Sequence, residues 1–247
     1  MSVTSRYREA WEGFWREAPE APGSVAWDAE PALTAERHLT LFEPHVNDRA
    51  LPVVDLGCGN GRQTRFLADR FTRVLGVDLC DTALDLARRQ DPAQRAEFAR
   101  LDATDADAVS ALHGRLGDAN VYVRGLIHQS EPADRRPVAE AVATLVGADG
   151  RAFVVEPSAA AKDVLKALVQ APDGPPPKLR PVFAHGLAPA EVADATFGEL
   201  FRAAGLTVLA SGELPLHLTE FTPAGERIEL PSRWLVVGRD GQQPVRG

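Results

Sequence analysis

Pro52-Val53-Val54-Asp55-Leu56-Gly57-Cys58-Gly59-Asn60-Gly61, running into Arg62-Gln63-Thr64-Arg65-Phe66-Leu67-Ala68, is the most informative segment of this chain. An apolar run of strand character ends in glycines at alternate positions, and a helical pattern begins at once. Glycine lets the backbone turn sharply and approach a ligand without interference from a Cβ. Asn60 is expected to cap the helix, with Gln63 at the capping-box position. A strand end that meets a helix start in this way borders a cleft, where open α/β sheets bind ligands. The spacing is G-x-G-x-G, not the G-x-G-x-x-G of dinucleotide enzymes.

Downstream of this segment strand and helix patterns alternate. Strands are predicted over 53–56, 73–78, 96–101, 120–123 and 153–155, the last closing on Glu156. Asp81 is expected to cap a helix over 82–90. Val109, Leu112, His113 and Leu116 form the stripe of a helix stopped by Gly117; Val138, Ala141, Val142 and Leu145 mark another, stopped by Gly147. Such alternation implies right-handed βαβ units and a parallel sheet covered on both faces. The pattern breaks over 157–188, where 162–169 is helical in pattern but a proline cluster follows. A helix is then expected from Pro189, with Phe197, Leu200, Phe201 and Ala204 on its apolar face and Gly205 after it. Strands over 206–210 and 234–237 follow, with Thr222-Pro223-Ala224-Gly225 as the turn of a long hairpin.

Upstream, Tyr7, Trp11, Phe14 and Trp15 form one helical face, and Ala35, His38, Leu39 and Phe42 another. Three of the four tryptophans precede residue 28. They either pack this segment onto the domain or form an aromatic lid over a pocket. The predicted organisation is a helical cap over residues 1–49 and one α/β domain over 50–247, interrupted at 157–188.

Composition narrows the function classes. At 247 residues and 45% hydrophobic, the chain can bury one large core. Its formal charge of −8 argues against a broad nucleic-acid footprint and against a basic membrane-surface helix. No apolar run reaches the roughly 18 residues of a membrane helix. Only Cys58 and Cys80 occur, which fits a reducing cytoplasm. They have no histidine or cysteine companions at metal spacing, so no metal is expected.

The motif Asp55-Leu56-Gly57-Cys58-Gly59-Asn60-Gly61 resembles the first motif of class I S-adenosylmethionine (SAM)-dependent methyltransferases. The resemblance extends to Gly76-Val77-Asp78, to Leu101-Asp102-Ala103 and to the strand that ends at Arg124. It covers residues 50–156 well, 189–238 in pattern and 1–49 hardly at all. It implies a Rossmann-like, seven-stranded sheet, mostly parallel with an antiparallel last strand, and helices on both faces. It also implies SAM as cofactor. The loop from Gly57 through Cys58, Gly59, Asn60 and Gly61 would lie against the methionyl part, with helix-start amides favouring its carboxylate. Asp55 would hold the α-ammonium, Asp78 the ribose hydroxyls and Asp102 the adenine amino group. Leu79 and Ala103, beside those acids, and Trp27 complete the expected cofactor set. Asp78 also suits NAD, but the glycine spacing and Asp102 count against it. Cys58 is read as small packing rather than a nucleophile.

After the fourth strand comes Arg124-Gly125-Leu126-Ile127-His128-Gln129-Ser130-Glu131, where this family meets its acceptor. An imidazole can take a proton near neutrality, so His128 is the candidate general base; its alternative is a histidine bonded to nearby backbone. Arg124 is expected either to pair with a carboxylate of SAM or substrate, or to brace an acid such as Glu156. The Asp/Asn-Pro-Pro-aromatic motif of nucleobase and amide methylation is absent. Histidines 38, 45, 113 and 217 show no constellation, and His185 is a weaker candidate. The expected activity is methyl transfer to oxygen or nitrogen of a small molecule. Cyclisation or elimination of SAM's aminobutyrate chain, or SAM sensing without catalysis, are the alternatives.

Overall fold

Alternate residues of each central strand face opposite layers, and that period of two builds the domain. A computed structural model describes residues 3–172, 174–187 and 192–239, with side chains from Tyr7 onward. In chain order the strands are β1 (Val53–Leu56), β2 (Val74–Asp78), β3 (Glu97–Arg100), β4 (Asn120–Arg124), β5 (Arg151–Pro157), β6 (Thr207–Glu213), β7 (Leu216–Phe221), β8 (Arg227–Leu230) and β9 (Ser232–Gly238). The helices are α1 (Val3–Glu17), α2 (Ala35–Phe42), α3 (Arg62–Ala68), α4 (Asp81–Arg89), α5 (Ala106–Leu116), α6 (Arg135–Val146), α7 (Ala161–Val169), α8 (Arg180–Ala184) and α9 (Asp194–Ala203).

Among the described residues, seven strands form one sheet in the order β3-β2-β1-β4-β5-β9-β6. Strands β1 to β5 are mutually parallel, and β9 runs antiparallel between β5 and β6. Val54, Val121, Val123, Ala152 and Val154 face the layer of α5, α6 and α9. Val53, Tyr122, Phe153 and Val155 face the layer that includes α2 and α3. The strand order reverses between β1 and β4, which opens a cleft beyond their carboxyl ends.

Several elements differ from expectation. The Thr222–Gly225 turn exists, but it closes a separate two-stranded sheet of β7 and β8 inserted between β6 and β9. Leu216, Leu218, Ile228 and Leu230 are its buried residues. The interrupted segment contains α8 as well as α7, with a proline in the first turn of α8, where its missing N–H costs nothing. The expected helix start at Pro189 lies outside the described residues; α9 carries the predicted Phe197 and Phe201 into the core. Helix α4 is capped by Cys80 rather than Asp81, because Glu12 of α1 reaches the exposed amides of Asp81 and Thr82 at 2.8 and 3.1 Å. None of the described helices is long and apolar enough to cross a membrane.

Candidate active site

The turn from β1 into α3 sets the floor of the cleft. Gly61 has φ +69°, and a Cβ there would lie 2.6 Å from the Phe98 ring, so only glycine fits. Gly59 has φ +53°, and a Cβ there would lie 3.1 Å from the Trp15 indole, which sits over the loop. The helix cap differs from the predicted box. Gly61 is the cap residue, and Asn60 Oδ1 accepts from the Arg62 amide at 3.2 Å. Gln63 is buried and turns away to residues 29–35: its Oε1 accepts from the Thr34 hydroxyl at 2.6 Å, and its Nε2 donates to Ala29 O at 3.0 Å.

Three carboxylates stand at successive strand ends. Asp55 is buried and accepts from the Thr64 hydroxyl at 2.5 Å. Burial pushes its pKa up to about 6, against the opposing pull of that hydrogen bond and of Arg124. Asp78 accepts from the amides of Gly59 (2.8 Å) and Cys80 (2.9 Å), and burial raises its pKa too. Asp102 Oδ1 accepts from the Thr104 amide and hydroxyl at 2.9 and 2.6 Å. A carboxylate has about four lone-pair sites, so each retains capacity for a ligand.

One cavity joins these acids to the segment after β4. Asp55, Gly57, Cys58, Gly59, Asn60, Asp78, Leu79, Asp102, Ala103, Trp27, Arg124 and His128 all border it; Gly61 lies behind, against Phe98. Arg124 does not brace Glu156, because its Nη1 donates to Trp27 O at 3.0 Å. Arg62, which also borders the cavity, donates to Asp28 O at 2.5 Å.

The roof belongs to α1 and the segment after it. Trp11, Trp15 and Trp27 border the cavity, and Phe14 stacks on Trp27 with centroids 5.2 Å apart. Glu12 ties this helix to the start of α4. His185 donates to or accepts from nothing in the cavity; its ring nitrogen lies 3.0 Å from Glu17, which pins the end of α8 to α1.

His128 and Glu156 form the tightest polar cluster. Glu156 is 2% exposed, yet it accepts from the amides of Leu126 (2.9 Å), Ile127 (2.8 Å) and His128 (3.1 Å). Its Oε2 also meets His128 Nδ1 at 2.7 Å. The carboxylate accepts only, so Nδ1 carries the proton and Nε2 is left with a lone pair, which meets the Gln129 amide nitrogen at 3.0 Å. Gln129 Oε1 is buried without a partner. Beyond His128 the cavity continues into an apolar lobe walled by α7, α8 and the β7–β8 hairpin, with Tyr122 and His217 as its polar side chains.

Two further histidines make structural contacts. His38 is buried, with Nδ1 2.6 Å from the Tyr122 hydroxyl, and burial lowers its pKa to about 3. His113 pairs with Asp118 at 2.9 Å.

Known proteins share both the motif region and the fold. A family profile described as a methyltransferase domain matches residues 53–150. No curated protein sequence matches the chain. A SAM-dependent methyltransferase from Anabaena variabilis ATCC 29413 superposes with TM-score 0.87 at 26% identity, over 97% of this chain and 96% of that one. Residues 53–150 thus carry a methyltransferase domain, and the whole chain has the fold of that SAM-dependent methyltransferase. Two further methyltransferases share the fold. The 1,6-didemethyltoxoflavin-N1-methyltransferase of Burkholderia thailandensis, solved with its substrate and S-adenosylhomocysteine, has TM-score 0.61 at 20% identity, over 97% and 92% of the two chains. The magnesium protoporphyrin IX methyltransferase of Synechocystis PCC 6803, solved with SAM, has TM-score 0.62 at 14% identity, over 97% and 98%.

The cavity's chemistry fits SAM, the cofactor named for those methyltransferases. Asp55, Asp78 and Asp102 complement a cationic ligand, and the missing Cβ of Gly59 makes room for the Trp15 indole that covers the loop. Arg62 and Arg124 suit a carboxylate; helix α3, only seven residues long and with its first amide already bonded to Asn60, offers less than expected. Burial, with Asp78 and Asp55 nearby, pushes the Cys58 thiol well above its ordinary pKa, so it is no nucleophile at neutral pH. Glu156 and Gln129 went unassigned in the sequence. The available signal was an acid that ends a fully buried strand.

Proposed function

We propose that this methyltransferase transfers the methyl group of SAM to an oxygen or nitrogen of a small-molecule acceptor, with His128 as general base. The supporting observation is the His128–Glu156 pair between the three acids and the apolar lobe: an imidazole whose Nδ1 is held at 2.7 Å by a buried carboxylate. A base oriented by a third group is the arrangement that activates a weak nucleophile. When bound, SAM supplies a methyl group already activated on sulfonium. His128 Nε2 takes the proton from the acceptor's hydroxyl or amine, and the Glu156 carboxylate stabilises the imidazolium that forms. The tryptophans of residues 1–49 act as a lid that excludes water from the cofactor. Asp55, Asp78, Asp102, Arg62 and Arg124 hold the cofactor's polar groups.

The acidic net charge and the enclosed cavity favour a small molecule over nucleic acid. Two unpaired cysteines support work in the cytoplasm.

Incubation with methyl-labelled SAM and a fractionated small-molecule extract tests the reading. Label should move to an acceptor. Label retained on methylthioadenosine would indicate chemistry on the aminobutyrate chain, and label retained on intact SAM would indicate a sensor. His128→Ala should then lower turnover about 10²–10⁴-fold with SAM affinity unchanged. A parallel loss of SAM binding and melting temperature would make His128 structural instead.

A further inference from the structure

We infer that the acceptor is an uncharged molecule with a hydrocarbon-rich body, which fills the lobe beyond His128 and presents its nucleophilic atom to that imidazole. The inference rests on the methyl-transfer reading and adds the substrate class. Leu165 of α7, Val182 and Phe183 of α8, Leu179 before it, and Leu216 and Leu230 of the hairpin wall the lobe. The two polar side chains there are committed outward. The Tyr122 hydroxyl bonds His38 Nδ1 at 2.6 Å. His217 Nε2 accepts from Arg37 at 3.0 Å, and its Nδ1 is sealed 3.1 Å from Glu229, though misaligned for a hydrogen bond.

Charge is excluded by the same wall. Burial lowers the pKa of both His38 and His217, so the imidazoles stay neutral at pH 7. The guanidinium groups of Arg62 and Arg124 are engaged by Asp28 O and Trp27 O. A charged group placed against the apolar side chains would lose its hydration, and Arg124, whose charge reaches Tyr122, already has a backbone partner.

A second groove adjoins the lobe. His128, Pro157, Leu165 and Phe183 border both the lobe and a groove beneath α7, whose outer part is lined by Ala159 and the exposed Val169. Lys162 and Lys166 stand at the rim of the groove, outside the apolar lobe.

Two probes with one ring system decide the matter: 2-naphthol, and 6-hydroxy-2-naphthoate, which adds only a carboxylate. Each is titrated calorimetrically into protein saturated with S-adenosylhomocysteine. The neutral probe should bind at least about tenfold more tightly, since about 1.4 kcal/mol of uncompensated desolvation gives that ratio. Leu165→Lys, at a half-buried position, should weaken 2-naphthol about tenfold or more and leave S-adenosylhomocysteine affinity unchanged. Equal or tighter binding of the carboxylate would overturn the inference and point to the rim lysines as readers of an anionic acceptor. Binding of neither probe, with S-adenosylhomocysteine bound, would also overturn it. Loss of S-adenosylhomocysteine binding by the unmodified protein would sink the methyl-transfer reading itself.

Discussion

Glu156→Gln keeps the shape of the side chain but removes its charge and one of its two acceptor oxygens. In the native protein Oε1 serves the amides of Leu126 and Ile127, while Oε2 serves the His128 amide and Nδ1. Whichever way the glutamine turns, its NH₂ faces two donors. Two backbone amides hold the remaining oxygen on the Leu126 side, so the NH₂ falls against His128. Nδ1 must then give its proton to Nε2 in order to accept, and the base loses its lone pair toward the cavity. One charge-assisted hydrogen bond, about 1.5–3 kcal/mol, and one unpaired buried amide, about 1–3 kcal/mol, are at stake. Relaxation of the exposed side of the turn lowers that sum, so a loss of about 3 kcal/mol is expected. For a domain of this size, that lowers the melting temperature by about 6–12 °C. Turnover should fall about 10²–10⁴-fold with SAM affinity retained. Scanning calorimetry, titration with SAM and nitrogen-15 spectra of the His128 ring read the three consequences separately. A variant in which Nε2 still lacks its proton and turnover is within about threefold of wild type would refute the positioning role of Glu156.

Asp55, with its pKa raised to about 6 by burial, must be ionised to hold an ammonium group, so SAM affinity should rise as pH climbs through about 6 and level off above it; Asp55→Asn should flatten that limb in calorimetric titrations. Glu12 has the opposite shift: burial opposes its ionisation, but hydrogen bonds from Thr82 and the Asp81 amide outweigh burial and hold its pKa below the usual range. Its stabilising contribution is therefore complete above the ordinary glutamate pKa and lost as pH falls through the lowered native value. Glu12→Ala should cost about 1 kcal/mol and speed hydrogen exchange across α1, with α5 and α6 unaffected. Asp78→Ala should weaken SAM binding by about 1.5–3 kcal/mol in the same titration, with no gain in affinity for NAD.

The parallel half of the sheet was legible because its strands are buried on both faces and read as apolar runs that end on polar residues: Asp55 lies within β1, Asp78 ends β2, Arg124 ends β4 and Glu156 falls near the end of β5. Asp102, just past the half-exposed edge strand β3, was legible from its place in the motif pattern instead. The β7–β8 hairpin was not, although Leu216 and Leu218 alternate with His217 and Thr219 in strand fashion. Its short length and its polar Glu220 and Glu229 left only the turn visible. Gln63 shows a different limit. A capping-box position predicts a local bond, but a partner 29 residues away, Thr34, takes the side chain instead. Glu156 was seen as a strand end, whereas its grip on three amides depends on how the turn after β4 folds back over β5. No spacing in the chain encodes that contact.

The stretch just before Trp27 has a further consequence, for the order in which the protein assembles. Gly23 O accepts from Lys178 Nζ at 2.9 Å, and Ala26 O accepts from the Thr219 amide at 2.8 Å. These partners lie 155 and 193 residues further along the chain. On the ribosome the amino-terminal residues emerge first, but these two anchors are made almost last. Helix α1 finds its first partners early, since Phe14 and Trp15 pack with Cys80, Ala83 and Leu86 and Glu12 holds the start of α4. The stretch that leads into Trp27 is fastened only when the β7–β8 hairpin has been synthesised, and contacts of that range are slow to form.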